Sequence, residues 1–316
     1  MMAQEPSSQE RIELVIRADD LILPFQANQA DVVGRLVKLG PVVDTVLSRH
    51  DYPEPVSKLL GEAVALTALL GAALKFEGKF ILQASTDGPV DLLVADYQVP
   101  GQLRGYARYF ADRVAAVSGN GGLPQLLGQG HFAMTIDRGR EMERYQGVVP
   151  LEGETLTEAA DTYFRQSEQL PTFIRLAVAK HYRAGHGGGQ LWTWRAGGLL
   201  VQKLTSKGGQ GSSGGGFDEK DWLRARSLAE TVEDHELLDP LLPPDRLLYR
   251  LFPEEQVRAY RAINLETYCS CSRERVEELL RRFASEDLED MVVDGEVWVT
   301  CEFCNSRYRF DPAALN

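Results

Sequence analysis

The sequence predicts an α+β protein: an N-terminal core domain of mixed sheet and helix, a helical linker, and a small C-terminal four-cysteine domain. Three observations predict this. Short stretches of alternating apolar residues between positions 79 and 149, set apart by turn residues, read as strands, and longer apolar-periodic stretches read as helices that cover them. A tract that cannot pack a core, Gly208-Gly-Gln-Gly-Ser-Ser-Gly-Gly-Gly216, interrupts the chain and reads as a hinge. All four cysteines stand at positions 269, 271, 301 and 304 of 316. The expected domains are therefore 1–216, ending in the glycine-rich hinge, a linker over 217–260, and a cysteine domain over 261–316.

Taken in order, Arg11 to Arg17 alternates and reads as a strand. The pattern over Gln29 to Leu39 reads as a helix stopped by Gly40-Pro41. Pro53 to Lys75 reads as a long helix through the middle of the core. Its most apolar run, Ala63 to Leu74, is too short to span a bilayer. Lys79 to Ser85 and Val90 to Asp96 read as strands joined at Thr86-Asp-Gly-Pro89, where glycine's tolerance of positive φ marks a turn. Further strands are expected at 104–110, 131–137 and 145–149, giving a largely antiparallel sheet. A helix is expected from Thr157 to Gln169, before Pro171, and Ile174 to Arg183 and Gly197 to Leu204 supply the remaining core pieces. From Phe217 to Tyr260 the pattern is helical and charged, broken by Pro240, Pro243, Pro244 and Pro253. Leu247, Leu248, Leu251 and Phe252 recur there at helical spacing, as a connector docked on the core requires.

In the cysteine domain, Arg273 to Phe283 reads as a helix and Met291 to Thr300 as a hairpin around Asp294-Gly295. Its core, expected from Leu279, Leu280, Phe283, Val297, Trp298, Val299 and Phe310, is thin for an autonomous fold. Cys269-Ser-Cys271 is followed, after 29 residues, by Cys301-Glu-Phe-Cys304, and no histidine lies beyond His235. Two short pairs brought together make a closed site of four thiolates, which suits Zn(II). The Cys-x-x-Cys half has common zinc spacing; the Cys-x-Cys half is tighter than usual. A disulfide framework does not fit, because residues 1–30 lack a basic start followed by an apolar core and the chain reads as cytoplasmic, where thiols stay reduced. A four-thiolate zinc carries two formal negative charges, which places Arg273, Arg275, Arg307 and Arg309 as candidate counter-charges. Metal binding in such domains supplies about 10–16 kcal/mol of folding free energy, and thiolate is also the form oxidants attack. Chemistry at sulfur can thus switch folding.

The net charge of −12 argues against nucleic-acid or anionic-membrane partners. The segment 261–316 is itself acidic, with 7 Arg and no Lys against 12 Asp or Glu, which weakens a zinc-ribbon nucleic-acid binder. Catalytic signatures are missing. Gly78-Lys79-Phe80 lacks phosphate-loop spacing, Gly185 to Gly189 completes no dinucleotide fingerprint, and no nucleophile elbow is present. His50, His131, His181, His186 and His235 form no ligand spacing. The chain does not read as an enzyme.

The sequence resembles the heat shock protein 33 family, the redox-regulated chaperonins of bacteria. The resemblance rests on Cys269-Ser-Cys271-Ser-Arg-Glu-Arg275 and on Cys301-Glu-Phe-Cys304-Asn305 followed by Tyr308 and Phe310. It extends to Leu69-Leu-Gly-Ala-Ala-Leu-Lys-Phe-Glu-Gly78, Asp87-Gly-Pro-Val90, Tyr145-Gln-Gly147, Tyr163 to Gln169 with Pro171-Thr172, and Gly197-Gly-Leu-Leu200, covering roughly residues 11 to 311. The glycine-rich insertion at 208–216 departs from the family pattern. The resemblance implies an ATP-independent holdase, inactive when reduced with one Zn(II) per chain on Cys269, Cys271, Cys301 and Cys304. It implies activation by oxidation, with disulfides 269–271 and 301–304, zinc release and unfolding of the C-terminal domain. It also implies undocking of the linker, homodimerisation, and binding of unfolded or oxidatively damaged client proteins. A second reading is a thiol-disulfide oxidoreductase using Cys301 and Cys304.

Overall fold

The structure is a computed structural model that describes residues 19–74, 77–117, 123–139, 143–184, 190–204, 219–283, 288 and 290–315. The strand expected at 11–17, the run 185–189 and the glycine-rich tract 208–216 lie outside the described residues. The chain divides into two compact units, one drawn from residues up to 48 and from 52 to 267, the other from 49–51 and from 268 onward.

The larger unit is built on two sheets and the helix between them. The first sheet comprises β1 (Leu21–Ala27), β2 (Val32–Leu39), β8 (Thr172–Ala184), β9 (Gln190–Lys203), β10 (Val257–Ala259) and β11 (Ile263–Asn264). Its strands run in the order β10-β1-β2-β9-β8, with β11 also on β1. The second comprises β3 (Lys79–Thr86), β4 (Val90–Gln98), β5 (Gln102–Tyr109), β6 (Gly130–Asp137), β7 (Tyr145–Pro150) and β12 (Glu266–Thr267), in the order β12-β5-β4-β3-β6-β7. Neighbours are antiparallel except β12, which lies parallel to β5. The α+β class is as the sequence predicts; the strands form two sheets where one was expected.

Helix Glu54–Gly71 touches β2, β8 and β9 of one sheet and β3, β4 and β5 of the other. Burial of 14 of its 18 residues follows from that position, and it is the buried central helix that the small and apolar residues demanded. Gly88 tells a different story from the expected one. Its φ is not positive. Glycine is required because its amide donates to Leu127 O at 2.9 Å and an added Cβ would lie 2.2 Å from the Leu127 carbonyl carbon.

The helix expected over 29–39 is wrong. Val32 to Leu39 is β2, hydrogen-bonded between β1 and β9. Val37 and Leu39 face the central helix while Val32 and Leu36 face the other side, and the β-branched valines suit a strand buried on both faces. Gly40-Pro41 opens a helix, Pro41–Ser48, and ends none. Proline has no N–H to lose in a first turn, and the Asp20 carboxylate accepts from the Gly40 and Val42 amides at 2.9 and 3.1 Å. The helix expected at 157–169 is Leu156–Tyr163 continued by a π turn, Phe164–Glu168. Its cap is Thr155, whose hydroxyl accepts from Glu158 N.

The far face of the first sheet carries Leu21, Leu23, Phe25, Val32, Leu36 and Leu199, and helices Glu219–Glu230, Asp234–Leu238 and Pro244–Leu251 cover it. Leu247, Leu248, Leu251 and Phe252 are all buried there, with the Phe252 ring 5.6 Å from that of Phe25. The order of layers is thus covering helices, first sheet, central helix, second sheet.

In the smaller unit, helix Arg273–Leu280 accompanies a three-stranded sheet of β13 (Val292–Val293), β14 (Glu296–Thr300) and β15 (Arg307–Phe310). Its buried core is Leu280, Leu288, Val297, Phe310 and Leu315. Leu279, Phe283 and Trp298, expected in that core, are exposed. A sheet of three short strands has only one apolar face, and Trp298 alternates away from Val297. The thinness of the core is as the sequence predicts.

Candidate metal centre

The first pair of cysteines stands immediately before helix Arg273–Leu280. Ser272 caps that helix, its hydroxyl accepting from Arg275 N at 3.2 Å, and Arg275 Nη1 donates back to Ser270 O at 2.5 Å. The residue between Cys269 and Cys271 is thereby tied to the helix start. The second pair occupies the connection from β14 to β15. Asn305 N donates to Cys301 O at 2.8 Å and Cys301 N to Ser306 O at 2.9 Å, with Asn305 in the left-handed region at φ 57°. This knuckle turns the sulfurs of Cys301 and Cys304 to one side.

All four Sγ atoms lie within 4.8 Å of one another. The nearest approaches are 3.2 Å for Cys269 and Cys271, 3.3 Å for Cys271 and Cys304, and 3.6 Å for Cys269 and Cys301. A tetrahedron with metal–sulfur bonds of about 2.3 Å has edges of about 3.8 Å, so this cage is the size a zinc ion needs. The separations are far beyond a sulfur–sulfur bond, and all four cysteines are free thiols. The four cysteines that the sequence singles out are thus brought together, close enough to hold a metal ion. Among the described residues, no other group of His, Cys, Asp and Glu is gathered in this way.

The sulfurs differ in how readily they ionise. Burial pushes Cys269 up to about 12 and also raises Cys271. At Cys304 burial again acts upward, but the Ser306 hydroxyl and amide together with Cys271 and Cys269 outweigh it and bring the thiol down to about 6. Ser306 Oγ lies 3.2 Å from Cys304 Sγ, and Tyr308 Oη 3.2 Å from Cys271 Sγ. Hydroxyls thus stand beside two of the four sulfurs, with Cys304 Sγ donating to Ser306 Oγ.

Of the arginines expected as counter-charges, Arg275 reaches the backbone between the first two cysteines, while Arg273 and Arg309 are engaged elsewhere. Arg273 stacks over the Phe310 ring at 4.6 Å, Arg309 pairs with Glu296 at 3.4 Å, and Arg307 stands opposite Thr300 in the strand register. Sequence reasoning missed Ser306 altogether, and quoted Tyr308 without a role. The available signal was alternation along β15, which sets Tyr308 and Phe310 on one face of the strand.

The family model described as "Hsp33 protein" matches residues 20–311. The 33 kDa chaperonin of Caulobacter vibrioides is 47% identical over 298 residues, covering 93% of this chain and 95% of the relative. That of Shewanella loihica is 38% identical over 295 residues, covering 92% and 93%. The crystal structure of a 33 kDa chaperonin homologue from Thermotoga maritima aligns with a TM-score of 0.71 over 94% of this chain and 96% of the other. At 22% identity it shows a common fold.

Proposed function

Since the chain belongs to the Hsp33 family, we propose that it is a redox-regulated, ATP-independent chaperone that holds unfolding proteins in the cytoplasm. Its three working parts are a chaperone core over 1–216, a linker over 217–260 and a zinc-binding redox switch over 261–316. The observation that carries the proposal is the cage of four reduced thiols in a unit whose buried core, among the described residues, is five side chains. In the reduced state Cys269, Cys271, Cys301 and Cys304 would hold one zinc ion, whose role is to supply folding free energy that this core lacks.

Oxidation acts on these sulfurs as thiolates, the form that oxidants attack. Each pair of thiols loses two electrons and two protons to hydrogen peroxide, which becomes two waters, and one sulfur–sulfur bond forms. With the pairs closed as 269–271 and 301–304, no thiolate is left to ligate metal, and the domain loses its main source of stability. The linker helices then leave the first sheet, and the apolar face around Phe25 and Leu199 becomes available to unfolded or oxidatively damaged clients and to a second activated copy.

Peptide mapping of the peroxide-treated chain under mild heat tests the chemical step. The expected products are 269–271 and 301–304; bonds 269–301 and 271–304 would contradict it. Repeated turnover of a dithiol substrate would instead favour an oxidoreductase using Cys301 and Cys304.

A further inference from the structure

Helices Glu219–Glu230 and Pro244–Leu251 hold the first sheet through apolar side chains, and the short helix between them, which buries Leu237 in the same cluster, adds polar ties. Helix Asp234–Leu238 and the turn after it are fastened through backbone carbonyls to two buried cations. Arg195 Nε donates to Leu238 O at 2.6 Å, and Lys38 Nζ donates to Asp239 O and Leu242 O at 2.8 and 2.6 Å. Both cations project from the sheet face that carries Leu36 and Leu199, by strand alternation. Arg195 is fixed in turn by Asp19, with Nη1 to Oδ2 at 2.9 Å and a second contact from Nη2 to Oδ1.

Gly197 completes the seat. It pairs with Lys38 across β2 and β9, and an added Cβ would lie 2.5 Å from Leu237 O, so the helix rests on bare backbone. In this turn Leu242 packs against the apolar cluster, but the residue before it does not. Leu241 is 71% exposed, and a cleft of about 500 Å³ bordered by Asp19, Asp44, His181, Arg195 and Asp239 opens beside it. Lys38, by contrast, is 1% exposed, and its ammonium has these carbonyls in place of water.

We propose that Arg195, Lys38 and Gly197 form a latch: positioning residues that hold segment 234–242 on the first sheet and thereby keep the covering helices docked while the cysteines are reduced. Burial pushes the Lys38 amine down to about 8 against the opposing pull of Asp239, as a cation desolvated by the docked segment should behave. The latch lies on β2 and β9, distant in sequence from every cysteine, so it sets how readily the helices leave without touching the thiol chemistry. That regulatory meaning rests on the proposal that undocking activates the chaperone.

Amide hydrogen exchange on the reduced, zinc-loaded full chain tests the latch in Arg195→Met and Gly197→Ala. Arg195→Met leaves Leu238 O and Asp19 without their cation, and Gly197→Ala lifts the helix while keeping both charges. In each variant amides of 234–252 should exchange at least about tenfold faster while β3, β4 and β6 keep their protection and the zinc content stays at that of the parent. Should Arg195→Met loosen both sheets, Gly197→Ala decides. Unchanged exchange over 234–252 in Gly197→Ala overturns the latch. Light scattering of a heat-unfolding protein separates the two claims: faster exchange with no gain in suppression would leave the latch standing and sink the undocking step.

Discussion

Cys301→Ser should lose its zinc and unfold residues 268–315 while the two-sheet unit stays folded. The argument is one of magnitude. Among the described residues the buried core is Leu280, Leu288, Val297, Phe310 and Leu315, which is thin against the chain entropy of such a unit, whereas four-thiolate zinc contributes about 10–16 kcal/mol. Serine neither ionises near neutral pH nor suits zinc, so one substitution removes most of that contribution. The larger unit has two apolar clusters of its own, one around the central helix and one under the covering helices. Metal content measured together with hydrogen exchange checks this. Loss of zinc with loss of protection over 273–280 and 296–310 is expected, and retention of both would mean that the cage is not what folds this unit.

Phe252→Ala should make the reduced, zinc-loaded protein suppress aggregation without oxidant. Phe252 is 1% exposed, packs its ring on Phe25 and continues the row Leu247, Leu248 and Leu251, whose other side presents Tyr249 to solvent. Truncating such a ring costs about 3–5 kcal/mol. That loss falls on the contact between the covering helices and the first sheet, and is large compared with what holds one short helix in place. Faster exchange over 244–257 with newly gained suppression is the expected result. Suppression equal to that of the reduced parent, despite faster exchange, would show that this face does not receive clients.

Legibility in the sequence followed the range of the interactions. Strands β3, β4 and β6 and the long central helix were readable because alternation, an Asp-Gly turn and an unbroken run of small apolar residues are local signals. The stretch 29–39 was misread because Val32 to Leu39 is buried on both faces, which erases the alternation that marks a strand, and because proline both ends and begins helices. Trp298 was placed in the core on hydrophobicity alone, although the period of two along β14 sets it opposite Val297. At the candidate site, cysteine spacing singled out the four sulfurs that the fold brings together. Ser306 was opaque because a hydroxyl beside a sulfur leaves no pattern, whereas alternation along β15 set Tyr308 on the face of Phe310. Lys38 and Arg195 were opaque for a stronger reason: their partners are backbone carbonyls 201, 204 and 43 residues away, and a carbonyl has no sequence identity.

The most direct test of the account follows zinc release and light scattering of a heat-unfolding protein in one experiment, with the full chain either reduced or treated with peroxide or hypochlorite under mild heat. Zinc released as suppression of scattering appears, with neither in the reduced sample, is the predicted result. Equal suppression by the reduced, zinc-loaded chain would contradict it, because the thiols would then not control the activity.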